Sequence, residues 1–299
     1  PLPPPPPRRF PDATFWTTDG QYSFPLNLPP SWLGLPGGRI NVLGKSSREG
    51  GSPFGDEFEH ELLTAKASAN SLYQDVAVFH RPSGTLMVVD AVQSISAEPP
   101  QILLSEPSYR RALLYHARDD PLEVVGDTPE VWRKGWQRIA LFANFFMPGT
   151  LVMLDSSKYV PEALRSPMPE LGWAGVLPFT WNKDTPDAFE ALSRSGAPAV
   201  APIIQIILSR SPEASTRWVS TVCSWPFTTV VPCHFDAPLK LSPAQLRSAY
   251  AFLETGSNEV RYCDADVAWI RDSLAGLPAD LALFPTTFGP LRGALCPPL

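Results

Sequence analysis

The sequence predicts an α/β fold, and three observations predict it. Between residues 211 and 253 a capped helix, an apolar strand and a second capped helix follow one another, the order of layered α/β architecture. Val76–His80 and Thr85–Asp90 flank Arg81-Pro-Ser-Gly84, where proline suits the second position of a turn and glycine its exit, so the pair reads as a hairpin. Two apolar runs end on polar chemistry: Leu86-Met-Val-Val closes on Asp90, and Thr229-Val-Val-Pro-Cys closes on His234, with Asp236 two residues on. Alternation along an extended strand puts His234 and Asp236 on one face and turns Cys233 away. Strand ends are where α/β proteins carry their sites.

Composition narrows the class. At 299 residues the chain can bury a large core, as one domain or two. A net charge of −6 disfavours a nucleic-acid groove. The four cysteines, at 223, 233, 263 and 296, show no CxxC pair and read as reduced thiols of an intracellular compartment, without structural zinc. No run approaches the roughly 20 apolar residues of a spanning helix, although contact with a membrane complex is compatible with the sequence. The chain starts at Pro1, so the expectation is a processed or partial protein.

In chain order, Pro1–Pro7 is a polyproline leader, extended and without internal hydrogen bonds. Ala13–Thr17 is β-prone, and Gln21–Pro30 is too rich in proline for a central strand. Gly34–Arg39 makes a turn before the strand at Ile40–Leu43. Glu57–Leu63 alternates as a strand, with His60 expected to face solvent and His80 expected at the surface beside the hairpin turn. Leu113–Asp120 groups His116, Arg118, Asp119 and Asp120, which reads as a structural ion pair or as part of a site. Asp127-Thr-Pro-Glu130 supplies a capping oxygen, a proline near the first helical position and a first-turn acid. That helix should run to Phe146, and its Arg133, Lys134 and Arg138 beside Trp136 read as a solvated face or as a phosphate site. Ala199–Pro202 reads as a brief strand, and Ile203–Leu208 as buried. Ser211-Pro-Glu213 and Ser242-Pro243 open two further helices around the strand Phe227–His234. One last helix is expected over Asp264–Leu274. The tail beyond it carries Leu283, Phe284, Phe288 and Leu291; each gains ~1.5–3 kcal/mol if fully buried, so these four are the candidate partner-binding residues.

These stretches resemble a plant, algal and cyanobacterial family defined as domain of unknown function 4336. The matching segments are Gln21–Pro29, Val78–Leu86 through Asp90, Leu113–Asp120, Asp127–Pro129, Arg133–Arg138, Val200–Ile203 and Val231–Pro238, spread over residues 8–255. The resemblance implies a partial or divergent metallo-β-lactamase-like αββα sandwich over 8–255, with proline-rich N- and C-terminal extensions. In that fold a His-x-His-x-Asp-His loop supplies most metal ligands, a later acid closes a strand, and a last histidine follows another strand. Asp90 and His234 stand at positions similar to the last two. The histidine loop is absent, and residues from Arg8 match the middle of the family, as though the first sandwich half were missing.

A hydrolytic zinc centre needs three protein ligands and an open position for water. Asp90 and His234 are two, and His116 becomes a third if the fold brings it alongside. The expectation is therefore a pseudoenzyme without cofactor, a scaffold or accessory subunit held by protein partners in a multi-subunit chloroplast assembly, or one in another organelle. The alternative is a metal-dependent hydrolase or oxidoreductase using zinc or iron, with Asp90, His234, His116 and Asp236 as ligands. A Cys233 nucleophile served by His234 is disfavoured because neighbouring strand residues face opposite ways.

Overall fold

Local sequence and side-chain alternation build a mixed α/β structure, seen in a computed structural model that describes residues 12–20, 40–47, 54–66, 72–144, 149–171, 177–183, 185–255, 266 and 268–269. The polyproline leader, the Gln21–Pro30 loop, the Gly34–Arg39 turn and the tail with Leu283, Phe284, Phe288 and Leu291 lie outside the described residues. The described residues up to Val92 and from Ile204 to Thr255 form one unit; those from Gln93 to Ile203, with Asp266, Ala268 and Trp269, form another.

The first unit begins with two short parallel strands, β1 (Phe15–Thr17) and β2 (Ile40–Val42). Its centre is a five-stranded sheet made of β3 (Phe58–Lys66), β4 (Leu72–His80), β5 (Thr85–Val88), β8 (Thr229–Pro232) and β9 (Leu239–Lys240). The strands lie in that spatial order, antiparallel throughout except for the parallel pair β5–β8. The expected hairpin is β4–β5, and Gly84 takes the left-handed φ of 61° at its exit, a conformation glycine adopts without steric cost.

Along β4 the even positions are half-buried and Tyr73, Asp75, Ala77 and Phe79 are buried, so one face packs and one is half-wet. Phe79 stacks on Trp225 with ring centroids 5.8 Å apart. His60, expected in solvent, is instead 3% exposed and its Nε2 bonds the Gly44 carbonyl at 2.9 Å. Register sets it beside Val78 on the half-buried face, where the carbonyl takes up Nε2 while Nδ1 is buried without a partner among the described residues. Helix α7 (Pro212–Val222) lies against β3 and is tied to it by Trp218, whose indole N–H donates to the Glu61 carbonyl at 3.1 Å. Ser211 does not cap that helix: its hydroxyl accepts the Lys66 amide at 2.9 Å. Helix α8 (Pro243–Ala249) opens with a full capping box, Ser242 with Gln245, which satisfies two otherwise orphaned amides. The short α9 (Phe252–Thr255) follows.

The second unit starts with α1 (Gln101–Ser105), α2 (Pro107–Ala117) and α3 (Pro129–Ala143). Thr128 caps α3 through the Val131 amide at 3.5 Å, and Asp127 takes the Trp132 indole N–H at 2.5 Å. The helix closes one turn before the expected Phe146, with Asn144 as its C-cap. Strands β6 (Leu151–Met153) and β7 (Phe179–Trp181) pair antiparallel, and their Leu151, Phe179 and Trp181 cluster with Leu177. Helices α4 (Ser156–Ala163) and α5 (Thr185–Ser193) also belong to this unit. Ala199 makes a single bridge to Gln93 rather than the expected strand. The apolar run after it is helix α6 (Pro202–Leu208), with Ile203, Ile204, Ile207 and Leu208 buried.

Candidate functional site at the sheet end

Strand register alone assembles the site. In the parallel pair Val88 stands beside Pro232, and two residues further on the same register puts Asp90 beside His234. In the antiparallel pair Val78 stands opposite Met87, and three residues along that ladder Asp75 comes opposite Asp90. One row across the sheet therefore carries Asp75, Asp90 and His234, at the carboxyl ends of the two parallel strands where α/β sheets hold ligands.

The contacts follow that row. His234 Nε2 lies 3.0 Å from Asp90 Oδ1, with the imidazole well exposed and the carboxylate about a quarter exposed. Asp75 is 3% exposed and closes the row from below. Its Oδ2 accepts the Asp90 amide at 3.0 Å and the Tyr73 hydroxyl at 3.4 Å, and its Oδ1 accepts the Val76 amide at 2.7 Å. Burial, and then the Asp90 charge, push the Asp75 carboxyl up to about 6. Burial also raises Asp90, while the His234 imidazole pulls it back down. Tyr73 and Tyr250 are pushed well above the ordinary phenol by burial first and by the Asp75 charge next, so both stay protonated donors. Tyr250 donates to the Ala91 carbonyl at 2.7 Å and pins the chain just after Asp90.

The strand that leads to His234 is shorter than its apolar run, ending at Pro232; one more ladder bond, the Cys233 amide to the Val89 carbonyl at 3.3 Å, extends it. Phe235 then takes a left-handed φ of 63°. That breaks the extended alternation, so the shared face expected for His234 and Asp236 does not form by strand geometry; Asp236 follows the turn, half-buried. Cys233 is exposed, and burial, followed by the charges of Asp75 and Asp90, raises its thiol, which disfavours the thiolate a nucleophile needs.

His116 sits in the other unit, within an aromatic group of Tyr115, Phe142, Phe179 and Trp181 with ring centroids 5.1 to 6.3 Å away. Burial, helped by the charge of Arg138, lowers it to about 4. It is a neutral packing histidine. Its neighbour Asp119 serves as the structural ion pair the cluster suggested, with Lys134 Nζ at 2.9 Å and Arg138 at 2.5 Å.

Asp75 and its two tyrosines were not singled out in the sequence. The signal was parity: Tyr73, Asp75, Ala77 and Phe79 share one face, and an acid among them is an acid in the core. A zinc or iron ion poised for hydrolysis needs three protein donors. Here two meet, bonded to each other, and both oxygens of Asp75 are committed to protein donors. Among the described residues no group of three His, Cys, Asp or Glu is placed to hold an ion.

A family model described as a domain of unknown function (DUF4336) matches residues 3–252. No curated protein matches, and no solved structure matches.

Proposed function

This chain belongs to the family of that domain of unknown function, and we propose that it is a non-catalytic metallo-β-lactamase-like scaffold, an accessory subunit of a multi-subunit chloroplast assembly. The observation that carries the reading is the closed row at the sheet end. Asp90 and His234 satisfy each other, and Asp75 spends its acceptors on Tyr73 and on two backbone amides. Such a row ties the ends of β4, β5 and β8 together and leaves too few donors to activate a water. Among the described residues no helix is long and apolar enough to cross a membrane, in keeping with attachment through protein partners.

Two measurements test the proposal. Native size-exclusion of chloroplast extract, followed with an antibody to this chain, should place it in a fraction far heavier than the 32.8 kDa monomer. Calorimetric titration of the purified chain with Zn²⁺, Fe²⁺ and Mn²⁺ should give no stoichiometric binding that depends on His234. A tight one-to-one complex lost in His234→Ala would overturn the reading.

A second reading, a metal-dependent hydrolase or oxidoreductase completed by donors from another chain, is favoured by one feature. The 3.0 Å between Asp90 and His234 is close to the ~3.3 Å that two ligands of one tetrahedral zinc keep between them, given bonds of ~2.0–2.1 Å.

A further inference from the structure

The second unit holds a cavity of about 510 Å³ lined by Asp119, Lys134, Arg138, Lys183 and, around them, Gln137, Trp181, Asn182 and Thr185. Three cations face one carboxylate there, in a chain whose net charge is −6. The cations are organised rather than scattered. Arg138 is 6% exposed and fixed in place, its Nη1 donating to the carbonyls of His116, Ala117 and Arg118 and its guanidinium lying 4.9 Å over the Trp181 ring. Asp119 holds both Arg138 and Lys134. Burial works to raise that acid, but the hydrogen bonds from Lys134 and Arg138 outweigh it and hold it below the ordinary carboxylate range. Lys183 stands exposed at the rim and has no ion-pair partner among the described residues.

We propose that this cavity binds the phosphate group of a small phosphomonoester. The lining carries two positive charges in excess, which matches a phosphate dianion, and Lys183 is the cation left to meet it. Gln137 is an amide of the kind that orients such a group, and Asn182 in the same lining donates to the Gly149 carbonyl at 3.2 Å. The volume is far larger than inorganic phosphate needs and falls in the range of small-molecule pockets, so the group arrives attached to an organic body.

Calorimetry on the full chain at low salt, with phenyl phosphate and separately with inorganic phosphate, tests this. Phenyl phosphate should bind one-to-one and more tightly than inorganic phosphate. Lys183→Ala should weaken it roughly tenfold, the worth of one charge-assisted hydrogen bond, with the melting temperature unchanged. Lys183→Glu should abolish binding, and Lys45→Ala, in the other unit, should leave it as it was. Equal affinity for the two anions would overturn the assignment to a monoester. No saturable binding below roughly 1 mM, or a Lys183→Ala variant indistinguishable from Lys45→Ala, would overturn the site.

Discussion

Asp75→Asn should stabilise this protein at alkaline pH and do little at acid pH, the reverse of what removing a paired carboxylate does. In the fold Asp75 titrates at about 6 against an ordinary 3.8, so the native state holds its proton more tightly than the unfolded chain. Well below pH 3.8 both states are protonated and the group contributes nothing. Between about 4 and 6 the unfolded chain releases a proton that the native state keeps, so stability falls as pH rises, and above 6 the whole penalty is present. A shift of two units is worth ~3 kcal/mol. Asparagine removes the charge but keeps one carbonyl oxygen, so one of the donors from Asp90, Val76 or Tyr73 loses its acceptor, at ~1 kcal/mol. The net gain at pH 8 is therefore about 2 kcal/mol, or roughly 4–8 °C in melting temperature for a domain of this size, shrinking to near zero at pH 4.5. Urea unfolding followed by tryptophan fluorescence, wild type against variant at both pH values, measures it. A variant that loses more stability at pH 8 than at pH 4.5 would show that the ionised carboxylate is favoured where it stands, and would refute the reasoning.

Three further outcomes follow from other residues. His116→Phe should show the opposite pH dependence: with the native imidazole lowered to about 4 from 6.5, the wild type loses ~3 kcal/mol as pH falls through that window, and the phenylalanine variant should not, as thermal melts at pH 4.5 and 7 would reveal. Gly135→Ala should be severely destabilising, by ~3 kcal/mol or more, because a Cβ there would stand 1.9 Å from the Leu113 carbonyl oxygen and force α2 and α3 apart; yield and denaturant midpoint are the readouts. Tyr250→Phe should cost about 1–2 kcal/mol by removing the bond to the Ala91 carbonyl, measurable as a shift in urea midpoint without a change in slope.

What the sequence discloses here is what is local. Proline and glycine around Arg81–Gly84 mark the hairpin, Thr128-Pro129 marks the start of α3, and Ser242 with Gln245 spells a capping box; in each the partner lies within a few residues. Ser211 carries the same signature, yet its oxygen goes to Lys66, and nothing near Ser211 specifies that strand. Asp75 is hidden for a related reason. The apolar run Val76–Phe79 looks like a strand that begins after the acid, whereas pairing with β3 extends it to Leu72 and carries Asp75 into the core. The strand-end residues Asp90 and His234 are legible one by one. Their meeting depends on a parallel pairing across a long crossover, which is set by tertiary packing rather than by local pattern.

The sheet end is an expensive place. It buries an acid whose carboxyl is pushed up to about 6, exposes an imidazole on that row, and follows it with a non-glycine residue at φ 63°, a conformation that costs of order 1–3 kcal/mol. An apolar side chain at position 75 would pack the same face without the charge, and replacing buried charges by well-packed apolar groups is often neutral or stabilising. The acid at position 75 is therefore a useful probe, and one variant divides the two functional readings. In a scaffold, Asp75→Asn gains stability at pH 8 and still enters the heavy assembly, because the row serves only to tie strand ends. In a metal site completed by another chain, the same substitution gains the same stability but loosens Asp90, whose amide Asp75 holds at 3.0 Å, and metal affinity in the assembled complex falls by the 10–100-fold typical when a supporting partner is lost. Stability is expected to rise in both cases, so it is the metal content of the assembly that separates them.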